Sequence, residues 1–191
     1  MSRFPLYFYM LICLLPSSAG MLRAQEITMD HIRLTWDDFQ GPRRMVSGHS
    51  AAHISYTMEY KMKSSAEKTV FEPRFYILRE KSWVNRKTVG QLTPSAENEL
   101  LTHEKGHLII GALYFKELER SLGKLSYSKR IKHKARRSFN KVHRKMRRFN
   151  KRYDKKTSHG ASKASQQQWN KKLLSELNNV YSLKEFKALH F

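Results

Sequence analysis

Apolar and polar residues change period midway along the chain. From Ala52 to Met62, Ile54, Tyr56, Met58 and Tyr60 alternate with His53, Ser55, Thr57 and Glu59, the two-residue period of a half-buried strand. Val70 to Val84 is a second β-rich run carrying Phe71, Phe75, Ile77 and Trp83, where Pro73 fits an edge or an irregular start. Ile32 to Phe39 reads as a further strand leading into the turn Gly41-Pro42. Together these runs predict a small antiparallel sheet of three or four strands.

Beyond Thr93 the period becomes helical. Thr93 or Ser95 can cap a helix, Pro94 suits its first turn, and Glu97 and Glu99 complement the positive end of its dipole. That helix is predicted to run to about Leu122 and stop at Gly123. Ile131, Ala135, Phe139, Val142, Met146, Phe149 and Tyr153 then recur at spacings of three and four, the narrow apolar stripe of a second helix. A third, over Ala161 to Val180, would bury Trp169, Leu173 and Leu177. The fold class is therefore α+β, a small sheet followed by three helices. No internal repeat or glycine- and proline-rich linker divides it.

The extreme N-terminus has a different pattern. Arg3 precedes an apolar run from Phe4 to Pro16, followed by the small residues Ser17-Ser18-Ala19-Gly20, with a second cleavage point after Ala24. This is the layout of a secretory signal peptide, and the run is shorter than the ~20 residues of a membrane span. We expect residues 1–24 to be a signal peptide and residues 25–191 one domain, exported to the periplasm or beyond, with no transmembrane span in the mature chain. The sole cysteine, Cys13, lies in the signal, so the mature chain would hold no disulfide, thiol nucleophile or thiolate metal site.

Charge narrows the partners. The chain carries a net charge of +21, which becomes +19 without Arg3 and Arg23. Fifteen Lys and Arg residues fall between Ser128 and Lys156, against one acid, Asp154. Such a field favours an anionic surface or an acidic protein as partner for residues 128–156. The plainer reading, and the favoured one, is the solvated face of an amphipathic helix. Export and the lack of a nucleic-acid motif argue against nucleic acid.

The chemistry is concentrated in His103-Glu104-Lys105-Gly106-His107, in the middle of the first long helix. Residues i and i+4 lie ~40° apart on a helix, so the two imidazoles project side by side and can grip one Zn²⁺. Glu104 is placed to act as general base toward a metal-activated water, as in HExxH metalloproteases. Gly106 lets another segment pack closely against this helix.

A catalytic zinc takes three protein ligands. The extended motif with Gly at 110 and His at 113 is absent, since the chain has Ile110 and Leu113. Glu117 and Glu119 lie ~15 Å or more along the axis from His107, too far to fold back. His133 and His143 fall outside the apolar stripe and read as solvent-facing; His49 and His53 read as structural or exposed. The segment from Tyr153 to Gly160 remains. His159 is the favoured third ligand, with Asp154 the alternative, as a direct ligand or behind a ligand histidine. Tyr153 is a candidate oxyanion stabiliser, or simply a member of the core.

These blocks resemble an uncharacterised bacterial family of predicted secreted zinc-dependent proteases. The matching residues are Leu34-Thr35-Trp36-Asp37-Asp38-Phe39-Gln40-Gly41, His103-Glu104-Lys105-Gly106-His107, and Tyr153-Asp154 with Thr157, His159, Gly160 and Trp169. The resemblance implies a zincin-like fold with His103 and His107 as ligands and Glu104 as catalytic residue. It also points to the turn at His159 for the third ligand. The expectation is a secreted zinc metallopeptidase acting on a peptide or protein. The alternative is a non-catalytic, zinc-stabilised exported protein that holds an anionic partner through its basic helix.

Overall fold

The computed structural model describes residues 26–42, 51–65 and 68–189. Strand β1 (Ala52–His53) pairs antiparallel with β4 (Trp83–Val84), and β2 (Tyr56–Ser64) with β3 (Thr69–Ile77). The helices are α1 (Arg86–Val89), α2 (Pro94–Gly123), α3 (Ile131–Thr157), α4 (Lys163–Asn178) and α5 (Leu183–Lys187). The chain is thus α+β, with the antiparallel strands preceding the long helices.

Helix α2 is the axis of the molecule. The Thr93 hydroxyl accepts the Ala96 amide at 3.3 Å and Pro94 opens the first turn, as the sequence predicts. Its thirty residues span roughly 45 Å at 1.5 Å each. The middle of α2 is buried on nearly every side, from His103 and Glu104 through Leu108, Ile109, Ile110, Gly111 and Ala112. The β2–β3 ribbon packs on one flank and α3 and α4 on another. Ile54, Met58 and Phe75 from the strands, and Val142, Met146, Tyr153, Leu173 and Leu177 from the helices, close one continuous core around it.

Helix α3 follows its stripe. Ile131, Ala135, Val142, Met146 and Tyr153 are buried, and Phe139 and Phe149 pack against them half-buried. It ends one turn later than the stripe indicates, at Thr157, because Thr157 is itself buried and its hydroxyl bonds back to the Tyr153 carbonyl at 2.9 Å. The pairing of β2 with β3 is regular from Tyr56–Ile77 to Ser64–Thr69. A two-stranded ribbon leaves each strand an open side, which accommodates Pro73 opposite Tyr60.

Two local expectations are corrected. Ile32–Phe39 is not a strand; it lies between and within the 3₁₀ turns Met29–His31 and Trp36–Asp38. The Asp38 carboxylate accepts the Thr35 amide at 2.9 Å, offering the backbone a local partner in place of a ladder. Ile32, Leu34 and Phe39 are nevertheless buried, so the alternation reported burial without sheet pairing. The Val70–Val84 run breaks between Leu78 and Ser82 around the 3₁₀ turn Arg79–Lys81, which splits the sheet into two ribbons. Residues 1–24, expected from the sequence to be a signal peptide, and His49 lie outside the described residues. Among the described residues, no helix is long and apolar enough to cross a membrane.

Candidate metal centre

Two helices each contribute a pair of residues four apart. On α2, His103 and His107 stand one turn apart with ring centroids 4.8 Å from each other. On the last turns of α3, Asn150 and Asp154 do the same. The Asp154 carboxylate Oδ1 lies 3.3 Å from His103 Nε2 and 2.9 Å from His107 Nε2. One donor atom from each of His103, His107 and Asp154 falls within 4.8 Å of the others, a group that could hold a metal ion. Gly106 makes this approach feasible: a Cβ there would sit 2.1 Å from the Tyr153 hydroxyl, so only glycine lets α3 come this close.

The hydrogen bonds behind the histidines fix which nitrogen faces the group. Asn150 Nδ2 donates to the Met146 carbonyl at 3.2 Å and to the Tyr56 hydroxyl at 2.8 Å. A carbonyl can only accept, so the amide is oriented, and its Oδ1 must be the atom 2.6 Å from His107 Nδ1. Similarly, Gln166 Nε2 donates to the Tyr153 hydroxyl and to Asn170 Oδ1, which turns Gln166 Oε1 toward His103 Nδ1 at 3.1 Å. Both histidines therefore carry their proton on Nδ1 and present Nε2 to Asp154. Neutral rings would aim two lone pairs at a carboxylate oxygen, which is repulsive. Protonating both would place two buried imidazoliums side by side, which is also unfavourable. A dication satisfies all three donors at once, so the residues fit a metal.

Electrostatics in the metal-free protein tell the same story. Burial works to lower the His107 pKa, but its bond to Asp154 and the charges of Glu104 and Asp154 outweigh this and raise it to about 9. Burial works to raise the Asp154 pKa, and the two histidines outweigh it, holding the carboxyl well below the usual carboxylate range. The proton on His107 occupies the place a metal would take.

Glu104 is 2% exposed and accepts the Ile54 amide at 2.8 Å. Ile54 in turn lines a cavity of about 680 Å³ whose walls include His107 and Asp154. His159 stands at the rim of this cavity with its side chain 61% exposed, its Nδ1 3.9 Å from Asp154 Oδ1. It is outside the group of three, in which Asp154 supplies the third donor. Ser158, His159 and Gly160 all have positive φ, a reversal that turns the chain out of α3 and brings Gly160 against the His103 side chain. Tyr153 is fully buried behind the histidines. Its ring stacks on His103 at 4.8 Å, and its hydroxyl donates to the His103 carbonyl at 3.1 Å. It is not part of the cavity wall.

Sequence reasoning passed over three residues. Asn150 and Gln166 orient the histidines; the signal was available in the Asn150–Asp154 spacing, a polar pair beside the apolar stripe of α3. Tyr56 sits on the core-facing side of its strand, as its alternation predicts, yet its hydroxyl reaches Asn150 and lines the cavity. Burial, with smaller contributions from Asp154 and Glu104, raises its pKa, so it stays a phenol able to donate a hydrogen bond. His143 reads as solvent-facing from its helical position but is half-buried against Phe139 and lines the same cavity, because β2 comes up beside α3 there.

Fold and site together define an α+β protein whose central HExxH helix, with an aspartate from the next helix, forms a candidate metal centre. The family model describing a bacterial protein of unknown function (DUF922) matches residues 26–160, and the chain belongs to that family. The match takes in His103, His107, Asp154 and His159 and ends before Gln166. No curated protein and no solved structure matches the chain.

Proposed function

We propose that this chain is an exported, zincin-like zinc metallopeptidase. The observation that carries the reading is the donor set itself: two histidines with Nε2 fixed inward and a carboxylate between them, with the buried Glu104 next in chain to His103 and bonded to Ile54, which lines the cavity. Zinc is the favoured ion because two imidazoles and one carboxylate suit it and leave a coordination position open. Bound there by His103, His107 and Asp154, zinc would supply Lewis acidity toward a carbonyl oxygen and a more acidic water.

The remaining steps belong to the protein. One oxygen of Glu104 is held by the Ile54 amide, which leaves the other to take a proton from the attacking water and pass it to the leaving amine. Tyr56 accepts from Asn150, so its own proton is available to stabilise a developing oxyanion; this assigns to Tyr56 the role considered for Tyr153. Tyr153 and Gln166 hold His103, and Asn150 holds His107, so that the donors need no rearrangement. The signal-peptide pattern of residues 1–24 supports export.

The test is elemental mass spectrometry of the purified mature chain beside a cleavage assay on a complex peptide mixture, with Glu104→Gln as control. Gln keeps an acceptor for the Ile54 amide but no base. One zinc per chain in both proteins, with cleavage in the wild type alone, is the expected result. Zinc retained with no cleavage by either would favour the zinc-stabilised binding protein instead.

A further inference from the structure

The cavity beside the metal group has one wall of strand, from His53 to Tyr56, and one of helix, formed by α3. The helical wall has two rows, each stepping by four residues: Met146, Asn150 and Asp154, and beside it His143, Arg147, Lys151 and Lys155. Burial and the neighbouring Arg147 keep the His143 pKa below the ordinary histidine value, so at neutral pH the charge of the row rests on the other three. Among the described residues, Asp154 is the one carboxylate in the cavity wall, and it belongs to the candidate metal group.

These three are the Lys and Arg residues of α3 that line the cleft. Lys145, on the opposite flank, is paired with Glu117, and the Arg152 guanidinium lies 4.8 Å from the Phe149 ring centre. Among the described residues, Arg147, Lys151 and Lys155 form no ion pair, although all are exposed. A solvated helix face explains charge all round α3. It does not explain an unpaired row along the wall of a cleft that ends at the metal group.

The spacing identifies what would pair with the row. Four residues of helix rise ~6 Å. In an extended peptide, side chains on the same side are two residues and ~6.6 Å apart. Consecutive cations therefore face alternate side chains of a strand lying along α3. Resting on the metallopeptidase reading above, we propose that the cleft takes acidic peptides, whose Asp or Glu side chains at alternate positions pair with Arg147, Lys151 and Lys155. A nucleic acid would be expected to find stacking platforms as well as charge. The exposed Tyr76 and Tyr127 do not line the cleft, and Tyr56 is held by Asn150.

The test separates binding from turnover. Zinc-loaded Glu104→Gln is titrated, by fluorescence anisotropy, with a labelled peptide carrying Glu at three alternate positions, with its Gln counterpart, and with a single-stranded oligonucleotide of equal charge. The Glu peptide is expected to bind at least tenfold more tightly than the Gln peptide. Adding Arg147→Glu and Lys151→Glu should abolish that difference. Adding instead Lys134→Glu and Lys141→Glu, the same charge change on α3 away from the cleft, should preserve it. Zinc content and circular dichroism of each variant establish that the site and fold persist. Equal binding of the two peptides, equal loss in the two charge-reversed variants, or oligonucleotide binding as tight as that of the Glu peptide would overturn the proposal. Acidic-peptide selectivity in this assay, combined with no cleavage by the zinc-loaded wild type, would instead overturn the peptidase reading and leave the acidic-peptide cleft standing.

Discussion

Replacing Gly106 by alanine puts a methyl group where the Tyr153 hydroxyl already sits. The new Cβ would lie 2.1 Å from the hydroxyl oxygen and 2.7 Å from the ring carbon that bears it. Tyr153 has nowhere to go: it is 0% exposed, stacked on His103 and packed edge-on against His107 and Trp169. Overpacking of this kind costs about 1–3 kcal/mol. Breaking the bond from Tyr153 to the His103 carbonyl adds about 0.5–1.5 kcal/mol. The better helix propensity of alanine offsets roughly 1 kcal/mol of the total. The net expectation is a destabilisation of about 1–3 kcal/mol, or roughly 2–12 °C in Tm for a chain of this size. Tyr153 immediately precedes Asp154, so the outward shift of α3 should also weaken zinc binding, by the 10–100-fold typical of a lost outer-shell support. Thermal melts in chelator and competitive zinc titration measure the two effects. Gly123→Ala is the control, since nothing lies within 4 Å of the added methyl, and its stability should stay within about 1 kcal/mol of wild type. If Gly106→Ala melts with Gly123→Ala and binds zinc like the wild type, the close contact of α2 with α3 is not what builds the site.

Other consequences follow from the same geometry. Asp154→Ala should cost more zinc affinity than His159→Ala, because Asp154 bridges both Nε2 atoms while His159 is exposed at the rim; the reverse order in competitive titration would restore His159 as third ligand. Asn150→Ala and Gln166→Ala each free a histidine ring and should lower zinc affinity ~10–100-fold while leaving one zinc per chain at saturation, a loss of fit rather than of a ligand. The His107 pKa is raised from 6.5 to about 9 in the metal-free protein, so the stability this gives is complete below pH 6.5 and lost as pH rises through 9. The metal-free protein should therefore lose on the order of 3 kcal/mol across that window, at 1.36 kcal/mol per unit. Zinc affinity should move the opposite way, rising about tenfold per pH unit up to pH 9 as one proton becomes easier to displace. Urea melts of the metal-free protein and zinc titrations over pH 6–10 read both trends, and parallel trends would refute the assignment of that proton to His107.

Much of this protein is legible in its sequence because the signals are local. A capping threonine, a proline in the first turn and a terminal glycine bound α2 to within a residue or two, and one apolar stripe locates α3. The histidine pair needs only the helical period to bring it together, and Gly106 already marks a close approach. Strand pairing was harder to read. Ile32–Phe39 alternates like a strand because it is half-buried, but Asp38 gives its backbone a local partner, and whether a buried segment joins a ladder depends on what lies beside it. The third donor was a matter of tertiary structure. Asp154 and His159 are five residues apart, and both fall where α3 ends; nothing in their spacing says which one turns inward. The close packing of α3 against Gly106 decides it, aiming Asp154 at both histidines while the left-handed turn at Ser158–Gly160 carries His159 to the rim. Tyr56, Asn150 and Gln166 come from a strand and two helices that only the packed core assembles. The charge of α3 was plain from composition, but which of its cations face the cleft was fixed by the side of the helix that the core buries.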